Sequence, residues 1–95
     1  MRFEWDERKN RENLANHGIS FETAALVFED PLQVSVQDRI EGGEPRWQTT
    51  GAVKGVLFVV AHTLEENEAG EEGIRIISAR KADATERKRY EETDC

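Results

Sequence analysis

His17 and His62 are the only imidazoles in the chain, and six of its basic residues fall between 74 and 90: Arg75, Arg80, Lys81, Arg87, Lys88 and Arg89. That stretch carries only two acids, Asp83 and Glu86. An imidazole titrates near neutrality, so it can take or give a proton. A guanidinium meets two phosphate oxygens with one planar fork, and a lysine adds a point charge. Together these types suit cleavage of a phosphodiester without a metal. Such a reaction needs a base for an attacking hydroxyl such as the RNA 2′-OH, a cation for the phosphorane and an acid for the leaving oxygen. Other chemistries lack their residues. There is no G-x-x-x-x-G-K-[ST], no G-x-S-x-G and no H-E-x-x-H. The two histidines are not spaced as a metal pair, and the glutamates are bunched at 65–72 rather than beside apolar strand ends. No cofactor or metal is expected. Cys95, the lone cysteine, can form neither a disulfide framework nor a cysteine zinc site, which suits a reducing compartment.

Several elements would have to position these groups. Residues 2–5 alternate polar and aromatic, which suits a short strand or an extended lead-in. Asp6 is a good N-cap and Gly18 a good stop for a helix over 7–17. On it Trp5, Lys9, Asn13 and His17 recur every four residues as a slowly turning ridge. Ser20 caps a second helix over 21–29, ended by Asp30-Pro31. The hydrophobic period then changes to two. Leu32, Val34 and Val36 mark a half-buried strand, 39–45 with Gly42-Gly43 a loop, and 46–53 a second strand. Lys54-Gly55 is a tight turn into a third strand, 56–63, apolar on both faces. A Glu- and Gly-rich loop, 64–73, leads to a fourth strand over 74–80. Asp83 and Glu86 then form a capping box for a short last helix reaching about 91. The order predicts one α+β domain over 1–95: an antiparallel sheet of about four strands against two N-terminal helices and one short C-terminal helix.

The third strand ends in His62-Thr63 and the fourth in Ser78-Ala79-Arg80-Lys81. Simple alternation groups Val56, Phe58, Val60 and His62 on one face, and Ile74, Ile76, Ser78 and Arg80 on one face of the next strand. If those faces coincide, imidazole and guanidinium share a surface. His62 also reads as a strand-end histidine that merely accepts a hydrogen bond, and Arg80-Lys81 and the Lys9–His17 ridge as solvated faces. Trp5, Trp47, Phe21 and Phe28 read as core.

The net charge of −7 opposes binding to phosphate in sum but not in distribution. The five glutamates of 65–72 together with Glu91, Glu92 and Asp94 carry −8, which leaves +1 for the rest of the chain. An acidic loop and tail beside a basic C-terminal strand end can still bind an anion locally. The longest apolar run, 56–61, is far shorter than the roughly 18 residues of a membrane span. No apolar leader follows Met1, so a soluble, cytoplasmic protein is expected.

Two long stretches resemble the BrnT toxins. One runs Trp5-Asp6-x-x-Lys9-x-x-x-Asn13-x-x-x-His17-Gly18-Ile19-Ser20-Phe21 and on through Ala24-x-x-Val27-Phe28-x-Asp30-Pro31. The other runs Ile74-Arg75-Ile76-Ile77-Ser78-Ala79-Arg80-Lys81-Ala82, then Glu86-Arg87 and Tyr90-Glu91. The resemblance implies a RelE-like fold and a metal-free endoribonuclease that inhibits translation. It also implies neutralisation by a BrnA antitoxin, a ribbon-helix-helix protein through which the complex, with a toxin dimer within it, would reach operator DNA. Lys9, His17, Arg46, His62, Arg80 and Lys81 are the site positions it carries forward. Chemistry assigns His62 as acid or base and Arg80 as phosphorane stabiliser. Two other readings stand beside it: a non-catalytic module acting as corepressor of its antitoxin, and a metal nuclease.

Overall fold

A computed structural model describes residues 1–93. Asp94 and Cys95, counted above in the acidic tail and as the lone thiol, lie outside the described residues. Helix α1 (Glu7–His17) begins where the Asp6 carboxylate accepts the backbone N–H groups of Arg8 and Lys9. It ends at Gly18, whose left-handed φ of 73° a glycine adopts without strain. Ser20 caps α2 (Phe21–Ala25), and the chain then tightens into a 3-10 turn over Leu26–Glu29, so the helix expected at 21–29 is α-helical only in its first half. Helix α3 spans Ala84–Thr93, two residues longer than expected.

The sheet has five strands: β1 (Arg2–Glu4), β2 (Val34–Glu41), β3 (Glu44–Val53), β4 (Val56–Glu66) and β5 (Glu72–Lys81). Their order is β1-β5-β4-β3-β2, antiparallel throughout except for β1, which pairs parallel to β5. About four strands were expected. The fifth is β1, the segment read as a short strand or extended lead-in at 2–5, which joins the sheet beside β5. The loops expected at 39–45 and 64–73 shrink to turns because polar, charged residues continue the ladders at their ends. The β2–β3 turn is Gly42-Gly43, both at positive φ, and Lys54-Gly55 turns between β3 and β4 with φ of 50° and 81°. At the β4–β5 turn the Asn67 side-chain oxygen accepts the N–H groups of Ala69 and Glu71.

One face of the sheet carries the core. Ile19, Phe21, Ala24 and Val27 pack on Val60, Ile74, Ile76 and Ala79. The 3-10 turn lies so close to β3 that a Cβ on Gly51 would stand 2.9 Å from both Val27 Cγ1 and the Val27 carbonyl oxygen, which fixes glycine there. Ile76 and Ala79 share this face although three residues separate them. A β-bulge explains this: His62 pairs with Ile76 and Ala61 with Ser78, which leaves Ile77 unpaired and reverses the alternation of β5 beyond it.

Strand β1 ends opposite Arg75. Four residues further along β5 the buried Asn13 side chain takes the place of a neighbouring strand. Its Nδ2 donates to the carbonyls of Ala79 (2.8 Å) and Ile19 (2.9 Å), and its Oδ1 accepts the Ala79 N–H (3.1 Å). Asn10, also buried, accepts the Phe21 N–H at 2.7 Å and donates to Glu22. Removing the Asn13 amide strands three backbone groups, each worth about 1–3 kcal/mol when buried and unpaired. We expect Asn13→Ala to lower the unfolding free energy by about 2–4 kcal/mol, read by urea denaturation. A loss below about 0.5 kcal/mol would contradict the role given to this amide.

Candidate functional site

The six positions singled out in the sequence fall into three places. Lys9 and His17 are exposed on α1, and Lys81, opposite Phe58, is on the same helix-bearing side of the sheet. His62 is inside, only 2% exposed. Arg46 and Arg80 belong to the opposite face.

His62 is enclosed between layers. Its Nε2 is 2.7 Å from Thr49 Oγ1, which is itself 2.8 Å from Ser35 Oγ, and Nδ1 lies 3.4 Å from the Thr63 carbonyl oxygen. Phe28 meets the imidazole edge-on with centroids 4.9 Å apart. Burial pushes the imidazole pKa below its ordinary value, and the Thr63 carbonyl opposes that only in part. His62 and Arg80 do not share a surface. His62 stands opposite Ile76 on the core face, whereas Arg80 stands opposite Val59 on the other. Unbroken alternation would join them; the unpaired Ile77 separates them.

The face away from α1 and α2 is the one with converging functional groups. Across β3, β4 and β5 its rungs read Gln48–Ala61–Ser78 and Thr50–Val59–Arg80. On the neighbouring rung Thr63 stands opposite Arg75, and by alternation Arg46, next to Trp47, is on this face too. Strand β1 adds Arg2 and Glu4 beside Gly73 and Arg75. Four arginines therefore line one sheet face, each with a carboxylate partner. Arg46 meets Glu41 at 3.3 Å, Arg75 meets Glu4 at 3.8 Å, Arg2 meets Glu4 at 3.6 Å, and Arg80 meets Glu86.

Helix α3 packs against β2 and β3 and is fixed at both ends. At its start Asp83 and Glu86 exchange backbone N–H···carboxylate bonds of 2.8 Å each, the expected capping box. Glu86 also receives Arg80 in a two-pronged pair, Nη1 to Oε1 at 2.7 Å and Nη2 to Oε2 at 2.8 Å. Those bonds from Arg80 hold the Glu86 carboxyl below the usual range, against the effect of burial. Further along, the Tyr90 hydroxyl donates to Asp30 Oδ2 (2.7 Å), which also accepts the Ala52 N–H. Burial raises the Asp30 pKa, but these bonds and the Leu32 N–H outweigh it, and the net shift is downward.

Sequence reasoning did not single out Arg75, Thr63, Gln48 or Ser78 as site residues, nor Glu86 beyond its cap. Arg75 was visible as a member of the basic cluster. What hid its grouping with Arg80 was the bulge, since five residues apart they fall on opposite faces of an unbroken strand. Among the described residues no three His, Cys, Asp or Glu side chains come together as a metal-holding group, and no helix is long and apolar enough to cross a membrane.

The chain is a small α+β domain with an arginine-lined sheet face on the side away from α1 and α2. A family model described as the ribonuclease toxin BrnT of a type II toxin–antitoxin system matches residues 5–86. The chain belongs to that family. Its members are ribonuclease toxins, with an RNA target and an antitoxin partner. No curated protein gives a match.

The buried imidazole makes stability depend on pH. A folded-state pKa below the unfolded value of about 6.5 means the unfolded chain binds the proton more tightly. This contribution is complete above about pH 6.5 and is lost as pH falls from there. The depressed carboxyls of Asp30 and Glu86 act only at lower pH, so the window from about 7 to 5 isolates His62. We expect unfolding free energy to fall across that window and His62→Gln to flatten the slope, measured by urea denaturation at each pH. A wild-type curve level over the window would refute this.

Proposed function

We propose that this chain is a metal-independent endoribonuclease whose RNA substrate lies across the arginine-lined sheet face. The observation that carries the reading is that Arg46, Arg75 and Arg80 are on one face with Ser78 and Gln48, in a chain whose net charge is negative. Guanidinium groups suit the crowded dianionic phosphorane because they offer two parallel donors and stay charged at any working pH. Arg80 is the phosphorane stabiliser in this scheme. The proton acceptor already in contact with it is Glu86. His62 acts through the fold, by holding β3 and β4 together through Thr49, and Lys9, His17 and Lys81 are exposed side chains outside the reacting centre.

In the cell this activity would degrade cytoplasmic RNA, inhibit translation and arrest growth. A BrnA-like ribbon-helix-helix antitoxin would neutralise it, and the complex, containing a toxin dimer, would reach operator DNA through the antitoxin alone. The family membership supports the general scheme.

Loss of one charge-stabilising donor costs about 10²–10³ in kcat. We expect Arg80→Lys, which keeps a charge but loses the fork, to lower kcat on single-stranded RNA about 10²-fold and to relieve growth arrest. Lys9→Ala, His17→Ala and Lys81→Ala should each cost far less. Activity should persist in EDTA. Cleavage abolished by EDTA and restored by a divalent cation would overturn the metal-independent reading. Intact RNA at high protein excess, with antitoxin binding retained, would favour the corepressor module.

A further inference from the structure

Among the described residues three side-chain polar atoms are buried without a hydrogen-bond partner: Arg2 Nε, Arg46 Nε and Thr63 Oγ1. All three belong to the same sheet face and to the same end of it. Thr63 is 1% exposed and stands opposite Arg75 on β5, and Arg46, the residue before Trp47 on β3, is on the same face by alternation. Arg2 is on β1, one rung away, where Gly73 leaves it room: a Cβ on Gly73 would stand 3.0 Å from Arg2 Nη2. Buried donors are normally paired, and leaving one unpaired costs about 1–3 kcal/mol. Three together, two of them on cationic groups, mark a place where something else supplies the acceptors.

The chemistry of that acceptor follows from the donors. Both Nε–H groups and the hydroxyl can donate, and guanidinium nitrogens cannot accept at all. Arg46 spends only Nη2 on Glu41 and keeps its Nε–H bare. The ligand must be anionic and rich in acceptors, as a phosphodiester is. The ion pairs with Glu41 and Glu4 are exposed enough for a phosphate to replace them at little cost.

We propose that Arg46, Thr63 and Arg75, flanked by Arg2, form a second phosphate subsite that binds an RNA phosphodiester other than the one cleaved. This rests on the ribonuclease reading above. Thr63 is four residues along β4 from Val59, the neighbour of Arg80, so the subsite is roughly 13 Å from the Arg80 rung. One phosphate cannot occupy both positions. The subsite therefore acts on KM and on the minimum substrate length, and Arg80 acts on kcat.

The test uses the full chain, an eight-nucleotide RNA and a dinucleotide with a single phosphodiester. We expect Arg75→Ala to raise KM about tenfold on the octamer with kcat within about twofold, and to raise KM on the dinucleotide by a clearly smaller factor. Binding of an uncleavable 2′-deoxy octamer should lose about 0.7 from its log–log salt slope. Thr63→Val keeps the shape and removes the unpaired hydroxyl, so it should hold or raise Tm while weakening octamer binding several-fold. A purely structural role predicts the Tm change without the binding loss. Octamer KM and salt slope unchanged in both variants, with the wild type active, would overturn the subsite alone. A wild type that neither binds nor cleaves the octamer would overturn the ribonuclease reading itself. Inhibition of octamer binding by millimolar inorganic phosphate that Arg75→Ala does not relieve would also count against the subsite.

Discussion

Ile77 is one residue too many for the β4–β5 ladder, and the sidedness of everything after it depends on that surplus. Without the bulge, Ser78 and Arg80 would follow Ile74 and Ile76 into the apolar layer beneath α1 and α2. A guanidinium there would be costly unless paired. With the bulge, Ala79 enters the core and Ser78 and Arg80 leave it. One strand thus contributes Ile74, Ile76 and Ala79 to the core and Arg75 and Arg80 to the opposite face. Bulges also bend the strand, and Asn13 holds the backbone two residues beyond this one through both polar groups of Ala79. The helix layer therefore fixes the phase of the arginine face from behind.

The carboxylates on that face explain how four arginines coexist on neighbouring strands in a protein of net charge −7. Each guanidinium has an acid within about 4 Å in the free protein. The exposed pairs of Arg2, Arg46 and Arg75 each contribute about 0–1 kcal/mol, so they offset mutual repulsion without locking the groups, whereas the two-pronged Arg80–Glu86 pair on a buried carboxylate is held more firmly. Five further glutamates lie at 65–72, in and beside the exposed turn between β4 and β5. At physiological salt their field decays over about 8 Å, so the Arg80 rung feels little of it. Net charge was a poor guide here because the acids that matter to the arginines are individual partners.

Much of the fold was legible because local chemistry decides it. Asp6, Gly18, Ser20 and the Asp83–Glu86 box set helix ends through bonds a few residues long, and Lys54-Gly55 sets a hairpin turn. Strand β1 was not legible as part of the sheet, since its parallel pairing joins residues 71 positions apart in a three-residue stretch. Nor was the bulge, because Ile76-Ile77 reads as ordinary β-sequence and only register reveals the extra residue. That gap carried over to the site. Arg46 and Arg80 were singled out by residue type, but their grouping with Arg75 was not, and the shared surface for His62 and Arg80 was conditional on two faces that the register keeps apart. A histidine amid Val59, Val60 and Thr63 on a doubly buried strand is held by its environment, and the Thr49–Ser35 relay that satisfies it comes from two other strands.

Glu86 joins the helix to the site, and its two oxygens divide the work unequally. Oε1 accepts both the Asp83 N–H and Arg80 Nη1, whereas Oε2 accepts Arg80 Nη2. If Arg80 turns toward a phosphate, Glu86 loses the guanidinium but keeps the bond that caps α3. The Glu86 N–H to Asp83 bond is likewise untouched, and Tyr90 still holds the far part of the helix to Asp30. Releasing Arg80 therefore does not require α3 to unravel. A carboxylate freed of its arginine while still held by a helix cap has its pKa moved back upward, because the Arg80 bonds are the largest cause of its depression. In the proposed reaction, movement of the cation to a phosphate and gain of basicity at Glu86 would thus be coupled.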